Sequence, residues 1–453
     1  MIKPISFCIT TANNEKNYVV GLLDSLIENT KFSKHEVLIL IDTDNQNTYS
    51  KLLDYKKKYP NIKIHKNNTG YRIGYQKNIS ILFGNATNDI VCYLQSDMVV
   101  SPQFDKYFIE ALDNNTNRVI TMARIEPPIH PPSPEKITKS FGLTPDEFKK
   151  DEFMEFARSL TKENRPLVYG HFAPFGLYKK TYFDVLGGFD SQFRCSREDS
   201  DFIIRLAACN LDALETWNAS VYHYTCVSSR GQGWYKDNDK EVEITNSWQS
   251  KADMEELKRF IRKWGYFGHD YKPKYKNHLF IDINHAPNLD LLSSIEPYFD
   301  TIYLNEKPVR DALAYLVDYD SHYYANKRWK YTQKDWDKLK DTFMGGKVSS
   351  KLIYADNKDI DLLNNTSKDI FIKTDMYSLI KQRESKDNHD FITNNNAIFD
   401  NLLTTSKGKY KGKYKGNYKI GSFDITINKL VDFNTNHLTN EQYVIDYSKY
   451  KFK

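Results

Sequence analysis

The chain has 453 residues, more than a single hydrophobic core usually contains, so its length predicts two domains. Its 64 basic and 59 acidic residues give a formal net charge of +5, which argues against a dedicated polyanion-binding protein but leaves nucleic acid open as a partner. The start of the chain lacks the regions of a signal peptide, and no apolar run approaches the roughly 20 residues that span a bilayer. The five scattered cysteines lack CxxC spacing, which argues against a zinc site or a disulfide framework. We therefore expect a soluble, cytoplasmic protein with reduced cysteines.

The first hundred residues alternate short apolar strands with amphipathic helices. Val19, Leu22, Leu23 and Leu26 recur at helical spacing and predict one buried helix face. This alternation of strands and helices predicts an α/β fold with a Rossmann-like, mostly parallel central sheet. The predicted strands cover residues 5–10, 36–41, 62–65 and 90–94, and the predicted helices cover residues 15–29, 46–58 and 75–83.

Polar residues follow three of these predicted strands. They are the Thr-Thr-Ala-Asn sequence at residues 10–13, Asp-Thr-Asp at 42–44 and Gln-Ser-Asp at 95–97. Open α/β sheets bind ligands beyond the carboxyl ends of their strands. We therefore expect these three segments to line one site.

The pattern changes twice further along the chain. Residues 126–134 contain five prolines and predict an exposed loop, because proline removes a backbone donor and fixes its own φ. From about residue 271 a strand-helix-strand pattern restarts, which predicts domains at residues 1–270 and 271–453, the second a smaller α/β domain of unknown role. Near its end, the Lys, Tyr and Gly run at residues 407–418 predicts a flexible basic loop.

Asp97 is a candidate metal ligand. It directly follows a buried strand, where a carboxylate is costly unless a cation or another group partners it. Mg²⁺ and Mn²⁺ prefer such hard oxygen ligands together with substrate phosphates. The alternative is an ordinary turn aspartate at a strand end.

A second acidic group opens a predicted helix near residue 198. Glu198, Asp199 and Asp201 precede an apolar helix face, and the helix dipole explains one or two of them. A third carboxylate exceeds what capping needs, and a carboxylate at this point can act as general base toward an acceptor hydroxyl. Capping alone remains the alternative.

The order of these motifs resembles that of family 2 glycosyltransferases over about residues 3–230. The resemblance is carried by residues 5–15, 42–44, 95–97, the Gly-Gly-Phe-Asp turn at 187–190 and the pair Glu198 and Asp199. It implies a GT-A fold and the inverting transfer of a hexosyl or related group from a nucleotide sugar, with a UDP-sugar favoured. The implied acceptor is a hydroxyl of a glycan, a polysaccharide or another glycoconjugate.

The resemblance also implies roles for individual residues. Asp199 is the implied catalytic base and Glu198 the residue that positions the acceptor, although the reverse assignment stays open. Asp97 and His223 are the implied ligands of Mn²⁺ or Mg²⁺, and Gln95 stands where aspartate is commoner, so coordination rests more heavily on Asp97. The implied donor-binding residues are Thr11, Asn13, Glu15, Asp42, Arg72, Lys77, Asn78, Ser96 and Asp97.

Other interpretations remain open. A sugar-phosphate nucleotidyltransferase is less favoured, because no early Gly-rich loop with a basic residue is present. Gln95 and the Lys and Tyr run at residues 407–418 leave room for an inactive glycan- or nucleic-acid-binding protein, or for a DNA-modifying glycosyltransferase. The glycine-rich segment at residues 228–234 fits either a lid over the donor or a surface loop.

Overall fold

The structure is a computed structural model, and the chain divides in it into two compact units. The residues described below up to 227 belong to the first unit, and those from Lys251 onward belong to the second. The helix Lys251–Trp264 thus lies in the second unit, ahead of the point where the sequence pattern restarts. The structure describes residues 2–68, 74–130, 132–134, 136–160, 162–167, 172–190, 193, 197–225, 227, 251–264, 277–317, 351–359, 370–384, 416–420 and 423–427.

Within these residues the first unit is built on a ten-stranded, mostly parallel sheet. Its strands are β1 (Ile5–Thr11), β2 (Glu36–Ile41), β3 (Ile62–Lys66), β4 (Ile90–Gln95), β5 (Met98–Val100), β6 (Arg118–Glu126), β7 (Lys136–Thr138), β8 (Asn164–Pro166), β9 (Phe175–Tyr178) and β10 (Asp212–His223). The strand order is β3-β2-β1-β4-β9-β6-β10-β5, with β7 paired to β6 and β8 to β10. β9 runs antiparallel between β4 and β6, so β6 and its parallel neighbour β10 point in the same direction as β1.

The helices of the first unit cover both faces of this sheet. They are α1 (Lys16–Asn29), α2 (Thr48–Lys58), α3 (Tyr75–Asn85), α4 (Phe104–Leu112), α5 (Lys150–Ser159) and α6 (Glu198–Ala208). Ile5, Phe7 and Ile9 of β1 pack with α1 and α4, whereas Cys8 faces the side covered by α3 and α6. Because both faces are buried, the parallel strands read as continuous apolar runs. The predicted α/β class with a mostly parallel sheet is confirmed.

A glycine turn fixes α6 to the rest of the unit. Gly187 and Gly188 have φ of 69° and 77°, which glycine adopts without a Cβ penalty. The turn places the Phe189 ring against that of Phe202 in α6, stacked with centroids 4.5 Å apart. Arg205 of α6 donates through Nη1 to the carbonyls of Leu186 and Gly188. The orientation of α6, and therefore of its first turn, is set by these contacts.

The second unit contains its own six-stranded sheet among the described residues. Its strands are β11 (Asn277–Asp282), β12 (Thr301–Leu304), β13 (Lys351–Tyr354), β14 (Ile370–Asp375), β15 (Gly416–Ile420) and β16 (Phe423–Ile427). They follow the order β13-β12-β11-β14-β16-β15, with the first four parallel and the last two antiparallel. Its helices are α7 (Lys251–Trp264), α8 (Leu289–Ile295), a helix over residues 307–317 and the helix Met376–Glu384. The expected second α/β region is confirmed.

The basic run near the end of the chain differs in part from its prediction. Its last three residues, 416–418, lie in β15, where they pair with β16 instead of forming a loop. The ladder of backbone hydrogen bonds with β16 outweighs the preference of Gly416 and Asn417 for turns and loops. Residues 407–415 lie outside the described part of the chain. None of the helices described has the length and apolar character that crossing a membrane requires.

Candidate active site at the carboxyl edge of the first sheet

Three of the predicted site segments meet where parallel strands β1, β2 and β4 end. In the sheet register Thr11 pairs with Ile41, and Thr10 pairs with Gln95. The backbone N–H of Asp42 continues this ladder by donating to the Thr11 carbonyl at 2.9 Å. The strands therefore bring these polar termini to one edge, where an open α/β sheet binds its ligand.

The loops that follow β1 and β2 are tied to each other. The backbone N–H of Asn13 donates to Thr43 Oγ1 at 3.3 Å. Asn14 and Asn45 exchange two hydrogen bonds, of 2.9 and 3.0 Å. Asp44 serves a structural purpose, because its carboxylate accepts from backbone N–H groups in the first turn of α2. Burial would raise the pKa of Asp44, but these backbone donors outweigh it and lower that pKa below its ordinary value.

A cavity of about 350 Å³ opens between these loops and the end of β3. Two predicted donor-binding residues, Asn13 and Asp42, line it. Asn67 Nδ2 donates to Asp42 Oδ1 at 2.9 Å and the Gly74 N–H donates to Asp42 Oδ2 at 3.1 Å, so the carboxylate is held in one orientation. The complete lining is Asn13, Ile41, Asp42, Thr43, Asp44, Asn45, Lys66 and Asn67.

Two further predicted donor-binding residues contact each other. Glu15 Oε2 accepts from Ser96 Oγ at 2.6 Å and from the Ala12 N–H at 2.7 Å. Both Glu15 and Ser96 are buried. This arrangement connects the end of β1 to the end of β4 and holds the segment that contains Asp97.

Asp97 and His223 are far apart in the sequence but lie close together in the first unit. The antiparallel register of β10 on β5 sets His223 opposite Met98, and the Tyr224 N–H donates to the Asp97 carbonyl at 3.1 Å. As a result His223 Nε2 lies 3.5 Å from Asp97 Oδ2. The other ring nitrogen, Nδ1, lies 2.7 Å from Glu126 Oε1.

The charges around His223 alternate in sign. Burial alone would lower the pKa of His223, but the carboxylates of Asp97 and Glu126 raise it to about 9. Glu126 in turn meets Arg124 Nη1 at 3.2 Å and Lys136 Nζ at 3.1 Å. In the ligand-free protein His223 is therefore an imidazolium at neutral pH, and metal binding requires it to release that proton.

These residues fit a divalent cation held partly by substrate. The Glu126 carboxylate contacts Nδ1 of His223, and Nε2 lies beside Asp97. Metal-binding imidazoles typically have such a carboxylate at the ring nitrogen that does not bind the metal. No group of three or more His, Cys, Asp or Glu side chains in the described residues is arranged to hold a metal alone. Mg²⁺ commonly takes one or two protein ligands and completes its coordination with phosphate oxygens and water. Gln95 Oε1 is buried and lacks a hydrogen-bond partner, so a neutral oxygen stands at the strand end just before Asp97.

Glu198 and Asp199 open α6, as the sequence predicts. α6 is joined through residues 209–211 to the start of β10, at the amino edge of the sheet. Phe202 in the first turns of α6 packs on Phe175, which pairs with Tyr93 near the carboxyl end of β4, so this end of the helix lies toward the carboxyl edge. Glu198 is buried, and Asp199 Oδ1 accepts from the Ser200 N–H at 2.7 Å. Asp201, the third carboxylate, instead accepts from Arg205 Nε at 3.0 Å, so its place in the cluster is structural.

The start of α3 contributes buried amide groups. Asn78 is 1% exposed, and neither its Oδ1 nor its Nδ2 has a hydrogen-bond partner. Gln76 is equally buried, and its Nε2 is also without a partner, which sequence reasoning did not identify. Thr11 Oγ1 at the end of β1 is unpartnered as well. Such groups are costly in a ligand-free protein and indicate places where a ligand would supply the missing partner.

The remaining predictions have mixed outcomes. Lys77 is half-buried on α3. Arg72 and residues 228–234 lie outside the described residues. Glu126 and Lys136 were missed by sequence reasoning; the only available signal was a polar residue at the end of an apolar strand, followed by a proline-rich loop.

Comparison with known protein families gives a match to part of the chain. Residues 6–185 match the model of Glycosyl transferase family 2. A search of curated proteins found no match.

Solved structures that match part of this chain include two of TarS from S. aureus. The structure of its residues 1-349 with UDP has 14% identity and a TM-score of 0.38, covering 57% of this chain and 64% of that one. The structure with UDP-GlcNAc has 16% identity and a TM-score of 0.39, covering 57% and 65%. GalNAc-T7 with UDP, GalNAc and Mn²⁺ has 16% identity and a TM-score of 0.41, covering 58% and 49%. The present chain thus spans less than two thirds of each of these proteins.

Proposed function

We propose that this chain, whose residues 6–185 match the model of Glycosyl transferase family 2, transfers a sugar with inversion from a nucleotide-sugar donor to an acceptor hydroxyl. The match to the family model over residues 6–185 supports a glycosyltransferase that uses a nucleotide sugar. The observation that supports the proposed mechanism best is the meeting of Asp97 and His223 at the carboxyl edge, with their side chains 3.5 Å apart. We infer a UDP-sugar as donor and a glycan or another glycoconjugate as acceptor.

The cavity between the loops after β1 and β2 is the proposed nucleoside site. Asp42 is buried, and its fixed carboxylate offers an acceptor to an imide or hydroxyl donor. Asn13 lines the same cavity with an amide that can donate or accept. We assign Thr11, Lys77 and Asn78 to the donor as well, because Thr11 and Asn78 carry buried polar atoms that lack protein partners.

Asp97 and His223 are the proposed protein ligands of Mn²⁺ or Mg²⁺. When bound, the cation supplies positive charge to the departing nucleoside diphosphate. Asp97 offers a carboxylate oxygen and His223 offers Nε2, while Ser96 and Glu15 keep the strand end in place. Two protein ligands leave room for diphosphate oxygens in the coordination shell.

Asp199 is the proposed general base, with Glu198 orienting the acceptor. Deprotonating the attacking hydroxyl by a positioned carboxylate contributes typically 10²–10⁴-fold in rate. The hydroxyl oxygen forms the new bond to the anomeric carbon as the bond to the diphosphate breaks, and its proton passes to the carboxylate. Attack from the side opposite the leaving group inverts the configuration.

Isosteric variants test this mechanism. Purified protein is first screened with a panel of nucleotide sugars, with and without Mn²⁺, by thermal shift and donor hydrolysis. We expect Asp199→Asn to lower kcat by about 10²–10⁴-fold with little change in donor affinity. We expect Asp97→Asn to weaken Mn²⁺-dependent donor binding and to lower kcat together.

Asp212→Asn is the matched control. Asp212 pairs with Arg118 at 2.7 Å at the amino edge of the same sheet, away from the proposed site. We expect this variant to keep wild-type activity. Full activity in both Asp97→Asn and Asp199→Asn would contradict the mechanism, and retention of configuration in the product would contradict inversion.

A further inference from the structure

We infer that Glu126 positions His223 for metal binding. The segment after β6 contributes Lys136 to the buried ion cluster that holds Glu126 in place. This inference rests on the proposed function, because it assigns a supporting role behind the proposed metal site. Nothing in the sequence pattern or the family match singles out Glu126 or Lys136.

The geometry around Glu126 fixes the histidine ring. Glu126 Oε1 lies 2.7 Å from His223 Nδ1, and because a carboxylate can only accept, Nδ1–H donates this hydrogen bond. Nε2 is then the ring nitrogen whose lone pair can bind a cation, and it lies 3.5 Å from Asp97 Oδ2. A carboxylate that accepts from one ring nitrogen fixes the tautomer and the ring plane, and raises the basicity of the other nitrogen.

Two buried cations contact the carboxylate of Glu126. Arg124 Nη1 lies 3.2 Å from Glu126 Oε1, and Lys136 Nζ lies 3.1 Å from Oε2. The side chains of Glu126, Arg124 and Lys136 are each no more than 5% exposed. Breaking a buried ion cluster by removing one partner is strongly destabilising, so the two cations hold the Glu126 carboxylate in place behind the His223 ring.

The loop after β6 brings Lys136 to this position. β6 ends at Glu126, the proline-containing residues follow, and β7 then pairs in parallel with β6 so that Lys136 lies opposite Arg124. Each of the described prolines in this segment, Pro127, Pro128, Pro132 and Pro134, has a fixed φ, which limits the conformations of the chain before Lys136. The segment after β6 therefore places the buried ammonium of Lys136 against Glu126, behind His223.

The test measures Mn²⁺ affinity of the full chain by electron paramagnetic resonance of free Mn²⁺, which does not depend on turnover. Glu126→Met keeps the side-chain length but removes the acceptor, and we expect it to weaken Mn²⁺ binding about 10- to 100-fold. Glu126→Gln keeps an oxygen that can accept from Nδ1, so we expect a smaller loss of Mn²⁺ affinity. This variant also serves as the folded comparison if Glu126→Met is unstable. His223→Ala and the double variant Glu126→Met/His223→Ala complete a cycle. We expect the double variant to bind Mn²⁺ no more weakly than His223→Ala alone.

Glu36→Met is the matched control for buried-charge loss. Glu36 is also buried and pairs with Lys63, but it lies at the start of β2 on the amino edge. We expect it to lower stability without changing Mn²⁺ affinity.

Three results would overturn the inference: wild-type Mn²⁺ affinity in Glu126→Met, an equal loss in Glu36→Met, or a further loss in the double variant beyond His223→Ala. A wild-type chain that transfers sugar without binding Mn²⁺ would overturn it too, while leaving the transferase proposal intact. If the variants show the expected Mn²⁺ affinities but the wild-type chain transfers no sugar from any donor, the role of Glu126 is upheld and the proposed function is rejected.

Discussion

Ser96 donates a hydrogen bond of 2.6 Å to Glu15, which links the segment before Asp97 to the loop after β1. The same Glu15 oxygen accepts from the Ala12 N–H. A single buried carboxylate therefore controls the relative position of two strand ends that belong to the candidate site. This relationship assigns to Glu15 and Ser96 a scaffolding purpose in addition to the donor contact that family resemblance implies.

Glu15→Met should disturb the site through this scaffold. It leaves the Ala12 N–H and the Ser96 hydroxyl unsatisfied, so we expect the free energy of unfolding to fall by about 1–3 kcal/mol. Denaturant titration measures that loss, and calorimetry with UDP measures the accompanying loss of affinity. Glu15→Gln keeps an acceptor oxygen and should lose less of both. If Glu15→Gln keeps stability but loses UDP affinity as fully as Glu15→Met, the charge contacts the donor directly and scaffolding is not the main effect.

Asn78→Leu should separate stability from binding. The Asn78 amide is buried with both polar atoms unpartnered, so an apolar side chain of similar size removes a cost of about 1–3 kcal/mol from the ligand-free protein. We expect a higher melting temperature without ligand and a smaller increase when the donor nucleotide is added. Thermal unfolding with and without UDP measures both quantities.

Asn85→Leu is the comparison for this prediction on the same helix. The Asn85 amide donates to the Ile81 carbonyl at 2.7 Å, at the end of α3 far from its first turn. Its replacement should not raise stability and should leave the UDP-induced shift unchanged. A donor-induced shift of wild-type size in Asn78→Leu would show that Asn78 does not bind the donor.

Local sequence patterns predicted much of the first unit. The predicted strand at residues 36–41, apolar throughout after Glu36, becomes β2 with the same bounds, because a strand buried on both faces needs no polar alternation. The polar ends at Asp42 and Asp97 follow from strand direction alone, since parallel strands finish at one edge. The first turn of α6 was likewise visible as an acidic start to an apolar helix.

Long-range pairing could not be predicted in the same way. Glu126 reaches His223 only because β10 pairs with both β6 and β5, and that register depends on contacts across much of the chain. The acidic sequence at the start of α6 also did not show which carboxylate is structural. Asp201 pairs with Arg205, which lies one turn further along the helix. Burial of Asn78 depends on how α3 packs, which a sequence period of a few residues does not determine.

Acid stability should depend on Asp105 at the opposite edge of the sheet. Asp105 Oδ2 accepts from His35 Nε2 at 2.8 Å and from the Lys31 N–H at 2.9 Å. Burial would raise the pKa of Asp105, but these hydrogen bonds lower it below its ordinary value. The stabilisation is therefore present above the unfolded pKa of about 4 and is lost as pH falls through the lower, folded value.

Asp105→Asn removes this pH-dependent contribution. We expect the free energy of unfolding at pH 7 to fall by about 1–3 kcal/mol, and the difference from wild type to shrink as pH drops below about 4. Urea titrations at a series of pH values from 7 to 2 give this difference directly. A difference that stays constant over the whole range would mean that Asp105 has the same pKa in the folded and unfolded chain.

Arg205→Lys should loosen the first turn of α6 while leaving the donor cavity intact. One guanidinium binds Asp201 through Nε and two turn carbonyls through Nη1, whereas a lysine ammonium is a single point charge that cannot reproduce this fork. We expect the unfolding free energy to fall by about 1–3 kcal/mol and kcat to fall more than UDP affinity, because Asp199 shares the helix start. Steady-state kinetics and UDP calorimetry measure the two effects, and Arg158→Lys on the exposed side of α5 controls for the substitution itself. Equal losses of kcat and UDP affinity would instead mean that the glycine turn supports the donor cavity as well as the proposed base.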